Sequence, residues 1–327
     1  MGPSRSSVVA AAEAGVRVPE RLRGSPLFFT LMAAIWLNQQ GLASDQRLPL
    51  SEDAIYRACV DMLVRRWTRK DLEGKESVAD LIGLDERQLR QVLELLAYQV
   101  HSESGERDDA VFAGGKIFDA VRALKLRGVD FDLLEETLAQ RAGVIYERDP
   151  NQFQFAHLSF QEHLSACYLT APERYPAEIV QHIHDNPTRW RNVMTLFPHE
   201  ARQQGRDLWE LVKLWLPKNL IFPSQPDSSE WTGIYYAAKL LRDHLPPDHD
   251  LQEVYRPRLQ TALTKLNEVG ALTPVERAEM GRLLAVLGDS RPGIGLRPDG
   301  LPDIDWCDVP AGKFLMGSDQ AKDPEAQ

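Results

Sequence analysis

Apolar residues recur at helical spacing along almost the whole chain, and one short stretch departs from that rhythm. Leu27, Leu31, Ala34, Ile35 and Leu37 fall at i, i+4, i+7, i+8 and i+10, the pattern of one buried helical face. Ser25 and Pro26 suit the cap and first turn of that helix. A second helix opens at Ser51-Glu52-Asp53 and carries Ile55, Cys59, Met62 and Leu63 up to Trp67. Leu89, Val92, Leu93, Leu96 and Val100 give a third. Polar or Gly-containing connectors fill 71–83 and 102–114, and two more helices are expected over 116–127 and 130–142.

The exception comes next. Val144-Ile145-Tyr146 and Phe153-Gln154-Phe155 flank Arg148-Asp149-Pro150-Asn151, a polar turn with Pro, which predicts a β-hairpin. Helix, helix, hairpin is the order of a winged helix. Another helix is expected from Ser159, because Ser159-Phe160-Gln161-Glu162 has the S-x-x-E form of a capping box. Further helices follow over 173–184, 189–203, 205–216, 229–244, 250–269 and 274–287, with Pro-containing breaks between several of them. The fold class expected is mainly α: a helical bundle over 1–70, a winged-helix domain with a short β-hairpin over 71–170, and a second, repeat-like helical domain over 171–288. A linker over 289–303 and an extended, then polar segment over 304–327 complete the chain.

Composition narrows the function classes. Among 327 residues, 38 Lys plus Arg face 48 Asp plus Glu, a net charge of −10, which weighs against a sequence-independent nucleic-acid binder. With 43% hydrophobic and 26% charged residues the chain is an ordinary globular one. Cys59, Cys167 and Cys307 lie far apart in no CxxC pattern, so a disulfide scaffold is not expected. The longest apolar run, Pro26 to Leu37, is about 12 residues, short of the roughly 20 that a bilayer core needs. The first residues lack an apolar run with a cleavage site. A cytoplasmic protein without membrane contact is the expectation.

The segment from Phe153 to Leu169, with Phe155-Ala156-His157-Leu158-Ser159-Phe160-Gln161-Glu162-His163-Leu164-Ser165-Ala166 at its centre, resembles the F-x-H-x-S-F-Q-E-x-L-A-A signature of NACHT-type STAND ATPases. The resemblance implies that His157 contacts the β-phosphate of bound ADP and holds a closed state. Placement just before a helix N-terminus, where N–H groups and the dipole favour an anion, supports that role. The alternative is that His157 only fixes the strand-to-helix corner through a backbone hydrogen bond. Upstream, Val18 to Leu27 is similar to the family's segment after the ATPase core, where a G-x-P places its Pro near the adenine. Gly24 and Pro26 match it.

No G-x-x-x-x-G-K-[ST] occurs, since Gly74-Lys75, Gly115-Lys116 and Gly312-Lys313 are followed by Glu, Ile and Phe. The expectation is a non-enzymatic regulatory arm with no catalytic residue, no metal site and no cofactor of its own. ADP or ATP would bind only together with an NTPase core. The partners implied are that core, other protein subunits, a second copy or an effector, in bacterial defence or conflict signalling. A rival enzyme reading comes from Val309-Pro310-Ala311-Gly312-Lys313-Phe314-Leu315-Met316-Gly317-Ser318, which is similar to the opening of formylglycine-generating-enzyme-like (sulfatase-modifying factor) domains. Only about 20 residues of such a domain would be present, with none of its catalytic cysteines, and Val309 and Phe314 to Met316 are expected to be exposed, mobile or docked on the helical body. A third reading, a winged-helix DNA-binding regulator, meets Asp130, Asp132, Glu135 and Glu136 on the helix that would enter the groove.

Single residues take plainer readings. His182 and His184, at i and i+2, diverge on a helix and are read as solvated. His163 is read as a surface or packing residue. Trp190, Trp209, Trp215 and Trp231 are read as core or groove packing.

Overall fold

A computed structural model describes residues 30–33, 35, 52–68, 82–103, 111–140, 144–216, 228–269, 274–289 and 291–313. The winged-helix unit is built in the order α2 (Glu86–Glu103), β1 (Phe112–Ala113), α3 (Gly115–Ala123), α4 (Phe131–Gln140), β2 (Ile145–Asp149), β3 (Gln152–Phe155), with α1 (Glu52–Thr68) before it and α5 (Leu158–Leu169) after it. Six helices follow: α6 (Ala177–Asp185), α7 (Pro187–Gln203), α8 (Trp209–Trp215), α9 (Ser228–Asp243), α10 (Asp250–Val269) and α11 (Pro274–Leu287). The described residues are thus mainly helical, with a small antiparallel sheet of order β1-β3-β2.

Local chemistry fixes the winged-helix frame. α2 starts with a reciprocal cap: Gln88 N donates to Asp85 Oδ1 at 2.7 Å, and Asp85 N donates to Gln88 Oε1 at 2.9 Å. Its stripe of Leu89, Val92, Leu93, Leu96 and Val100 is buried as the spacing predicts. Strand alternation aims Phe153 and Phe155 inward, where both meet Phe112 of β1 with ring centroids 6.1 and 5.9 Å away. The hairpin turns through Asn151 at φ 58, and its side-chain Oδ1 accepts from Gly114 N at 3.1 Å, tying the turn to the start of α3. Gly83 sits at φ +81 with its missing Cβ aimed at Gly128 O, only 2.3 Å away, so no side chain fits where the two loops cross.

Three expectations shift. β1 lies inside the stretch read as a connector over 102–114, and α2 runs to Glu103; two residues of strand are too short to show a period. The helix expected over 205–216 starts only at Trp209, because Gly205 (φ +70) closes α7 and Asp207 Oδ1 then accepts from Trp209 N at 2.9 Å. The capping box at Ser159 does not form. His157 is the cap of α5, Ser159 already lies in the first turn, and Glu162 turns inward to accept from Asn192 Nδ2 at 2.8 Å.

α5 is the hub. It packs most heavily against α2 and α7 and also against α1 and β3. Nine of its residues, Phe160 to Cys167 and Leu169, are buried, four of them polar: Gln161, Glu162, His163 and Ser165. A single apolar core continues from Leu31 through this helix to Leu287. Trp190, Trp209 and Trp215 are buried and Trp231 packs half-buried against the core, as expected of them. Residues 304–313 carry no regular secondary structure, with Trp306 and Val309 exposed. Val309 meets its expectation; Phe314, Leu315 and Met316 lie outside the described residues.

Candidate functional site

The corner between β3 and α5 places His157. Its backbone is extended (φ −154, ψ 141), and its ring Nδ1 accepts from Ser159 N at 3.1 Å. An accepting Nδ1 leaves the proton on Nε2. Burial lowers the ring's pKa, so it is neutral at pH 7, and the residue is half-buried. A neutral imidazole with an Nε2–H can donate to a phosphate oxygen while its other nitrogen caps the helix. Both readings of His157 therefore have their chemistry in one ring. Gly24 and Pro26, the other residues expected at a nucleotide, lie outside the described residues.

Behind that corner lies a buried polar layer. Gln161 bonds His101 (3.2 Å), and His101 Nε2 donates to Arg189 O at 3.3 Å. Burial, with Arg189 beside it, pushes His101 down to about 4. His182, read as solvated, instead stacks on Trp190 at 3.9 Å and bonds Tyr98 Oη at 3.0 Å; only His184 is exposed. The correction has a simple cause, since the i, i+2 spacing that separates two rings turns one of them into the aromatic layer. His163, the surface-or-packing residue, is fully buried.

A polar cavity of about 520 Å³ opens beside this layer, between α1, α2, α7 and the turn after α5. Arg57 and Glu200 are paired across it, Nε to Oε1 at 3.1 Å. Arg90 is held between Asp61 and Glu94 and brings Nη2 to 3.8 Å from Cys167 Sγ. Burial alone would lower Arg90, but Cys167, Glu94 and Asp61 around it hold it above its usual value. Burial raises Glu94 against the pull of Arg90. At the mouth, Arg174 lies 3.8 Å over the Tyr168 ring and Arg206 Nε donates to Thr170 O at 2.7 Å.

At the cavity wall that Cys167 and Glu200 line, their ligand atoms and those of His163 behind them lie within 4.8 Å of one another. Sequence reasoning passed over this group. The visible signal was His163-x-x-x-Cys167, two ligand-type residues at i, i+4 on one helix; the third comes from α7 and no local pattern could supply it.

The order helix–strand–helix–helix–strand–strand, with the sheet ordered β1-β3-β2, defines a winged helix. Comparison of the sequence with known families makes it more specific. Residues 53–169 match the winged helix-turn-helix domain C-terminal to NACHT, a span that starts in α1 and ends on the last residue of α5. It covers just over a third of the chain and reaches neither α6 to α11 nor the segment similar to formylglycine-generating-enzyme-like domains, for which the comparisons give no support. No curated protein and no solved structure matches the chain. No described helix is long and apolar enough to cross a membrane.

Proposed function

We propose that the chain is the regulatory arm of a NACHT-type switch, reporting the nucleotide state of an NTPase core to the helices beyond it. The observation that carries this is the position of His157: inside the span that matches the NACHT-associated winged helix, half-buried, neutral, and at a helix N-terminus. Such a corner suits one end of an ADP contact, with Gly24 and Pro26 as the expected companions. α5 leads from that corner into contact with α7, so a shift at His157 has a direct mechanical route onward. The partners in this reading are the NTPase core and then a second copy or an effector protein, with defence signalling as the setting that the resemblance implies. Asp130, Asp132 and Glu136 are exposed at and on α4, which sets like charge against a DNA backbone.

The test separates cap from contact. By calorimetry the chain alone should take up neither ADP nor ATP, and micromolar binding would overturn the lid-only reading. In the protein that carries the NTPase core, His157→Ala should speed ADP release about tenfold, the scale of one lost hydrogen bond to a charged group. His157→Asn should restore the helix cap but not ADP retention. Should Asn behave as wild type in ADP release, His157 serves the helix alone.

A further inference from the structure

We propose that His163 and Cys167 of α5 and Glu200 of α7 bind a zinc-type divalent transition-metal ion at the inner wall of the polar cavity. The donor set is specific. An imidazole and a thiolate select zinc-like ions over magnesium or calcium, and a carboxylate completes a common triad of protein ligands. Their ligand atoms already lie within 4.8 Å of one another. Cys167 Sγ and His163 Nε2 are 3.7 Å apart, against about 3.6 Å for sulfur and nitrogen sharing one tetrahedral zinc at ordinary bond lengths.

His163 is fully buried, and the ring nitrogen it turns toward Cys167 is Nε2. An incoming ion displaces the Cys167 thiol proton to solvent, and Arg90 stands 3.8 Å from the sulfur to stabilise the thiolate.

Two arginines beside a cation site call for a charge count. Asp61, Glu94 and Glu200 carry three negative charges when ionised, against two positive on Arg57 and Arg90. A divalent ion plus one thiolate adds +1, which brings this group to neutrality. Arg57, paired with both Glu200 oxygens, orients the carboxylate as an outer-shell partner does. Three protein ligands leave a fourth position, and the cavity that Cys167 and Glu200 line gives it room for water and a way in.

The experiment uses the full chain with Cys307→Ser throughout, since Cys307 is exposed and could take metal by itself. Titration with Co²⁺ should raise a thiolate-to-cobalt charge-transfer band that saturates at one equivalent and is displaced by Zn²⁺. Cys167→Ala should abolish the band, and Glu200→Gln should weaken binding by about tenfold or more. X-ray absorption of the zinc-loaded protein reads the site without any ligand substitution and should show one sulfur per zinc, the rest nitrogen or oxygen. No charge-transfer band, an undiminished band in folded Cys167→Ala, or zero or two sulfurs per zinc would each overturn the proposal.

Discussion

α4 and α5 flank the same hairpin and have similar lengths, 10 and 12 residues, yet the fold uses them in opposite ways. α4 buries Leu134, Thr137 and Leu138 along one side and leaves Asp132 and Glu136 exposed. α5 is buried nearly all round, polar residues included. What separates them is partners rather than composition: α5 lies between α2 and α7, where Gln161 bonds His101 and Glu162 accepts from Asn192, while Ser165 donates back to the Gln161 carbonyl of its own helix. A helix whose polar face is met by other helices can sit in a core, whereas one whose polar face is merely charged must stay at the surface.

The largest effect should fall on the apolar side of α5. Phe160 is completely buried, so Phe160→Ala leaves a cavity and should cost on the order of 3–5 kcal/mol in denaturant unfolding. Glu136→Ala on the exposed side of α4 should stay within about 0.5 kcal/mol. Equal costs would erase the contrast between the two helices.

The polar side of α5 should show itself in acid. His101 is held at about 4, below its ordinary 6.5, so between those values the unfolded chain binds a proton that the fold does not. Stability therefore falls as pH drops through 6.5 toward 4, by about 2 kcal/mol from pH 7 to 5 for this one histidine. His163, held near 3, adds a loss of the same sign. In His101→Gln, unfolding curves at pH 7 and 5 should lie closer together than in wild type by about that amount. An unchanged gap would mean that His101 titrates normally and that the layer between α5 and α7 admits water.

How far the sequence carried depended on whether a feature was periodic. The α2 stripe, the alternating Phe153 and Phe155, and the two helices before the hairpin follow from spacing alone, and they suffice for the winged helix. β1 escaped notice because two residues have no period. The inward turn of Glu162 and His182 escaped because it is decided by Asn192, Tyr98 and Trp190, which lie elsewhere in the chain. His157 was legible as a position, through the motif around it. Its ring bond to Ser159 N was legible only as an alternative.

The smallest effect falls at that corner and bears most on function. Because His157 Nδ1 accepts from Ser159 N, His157→Ala should remove one cap and cost about 1 kcal/mol, well under the cost of Phe160→Ala. Asn is among the best capping residues, so His157→Asn should return the chain to within a few tenths of a kcal/mol of wild type. Three unfolding curves decide it. If Ala is as costly as Phe160→Ala, the residue belongs to the buried body of α5 and has no freedom to answer a nucleotide. If Asn rescues stability, the cap is a replaceable service. Any loss of ADP retention that Asn then leaves unrepaired in the NTPase-bearing protein must come from the ring's other nitrogen, Nε2, and not from a loosened helix.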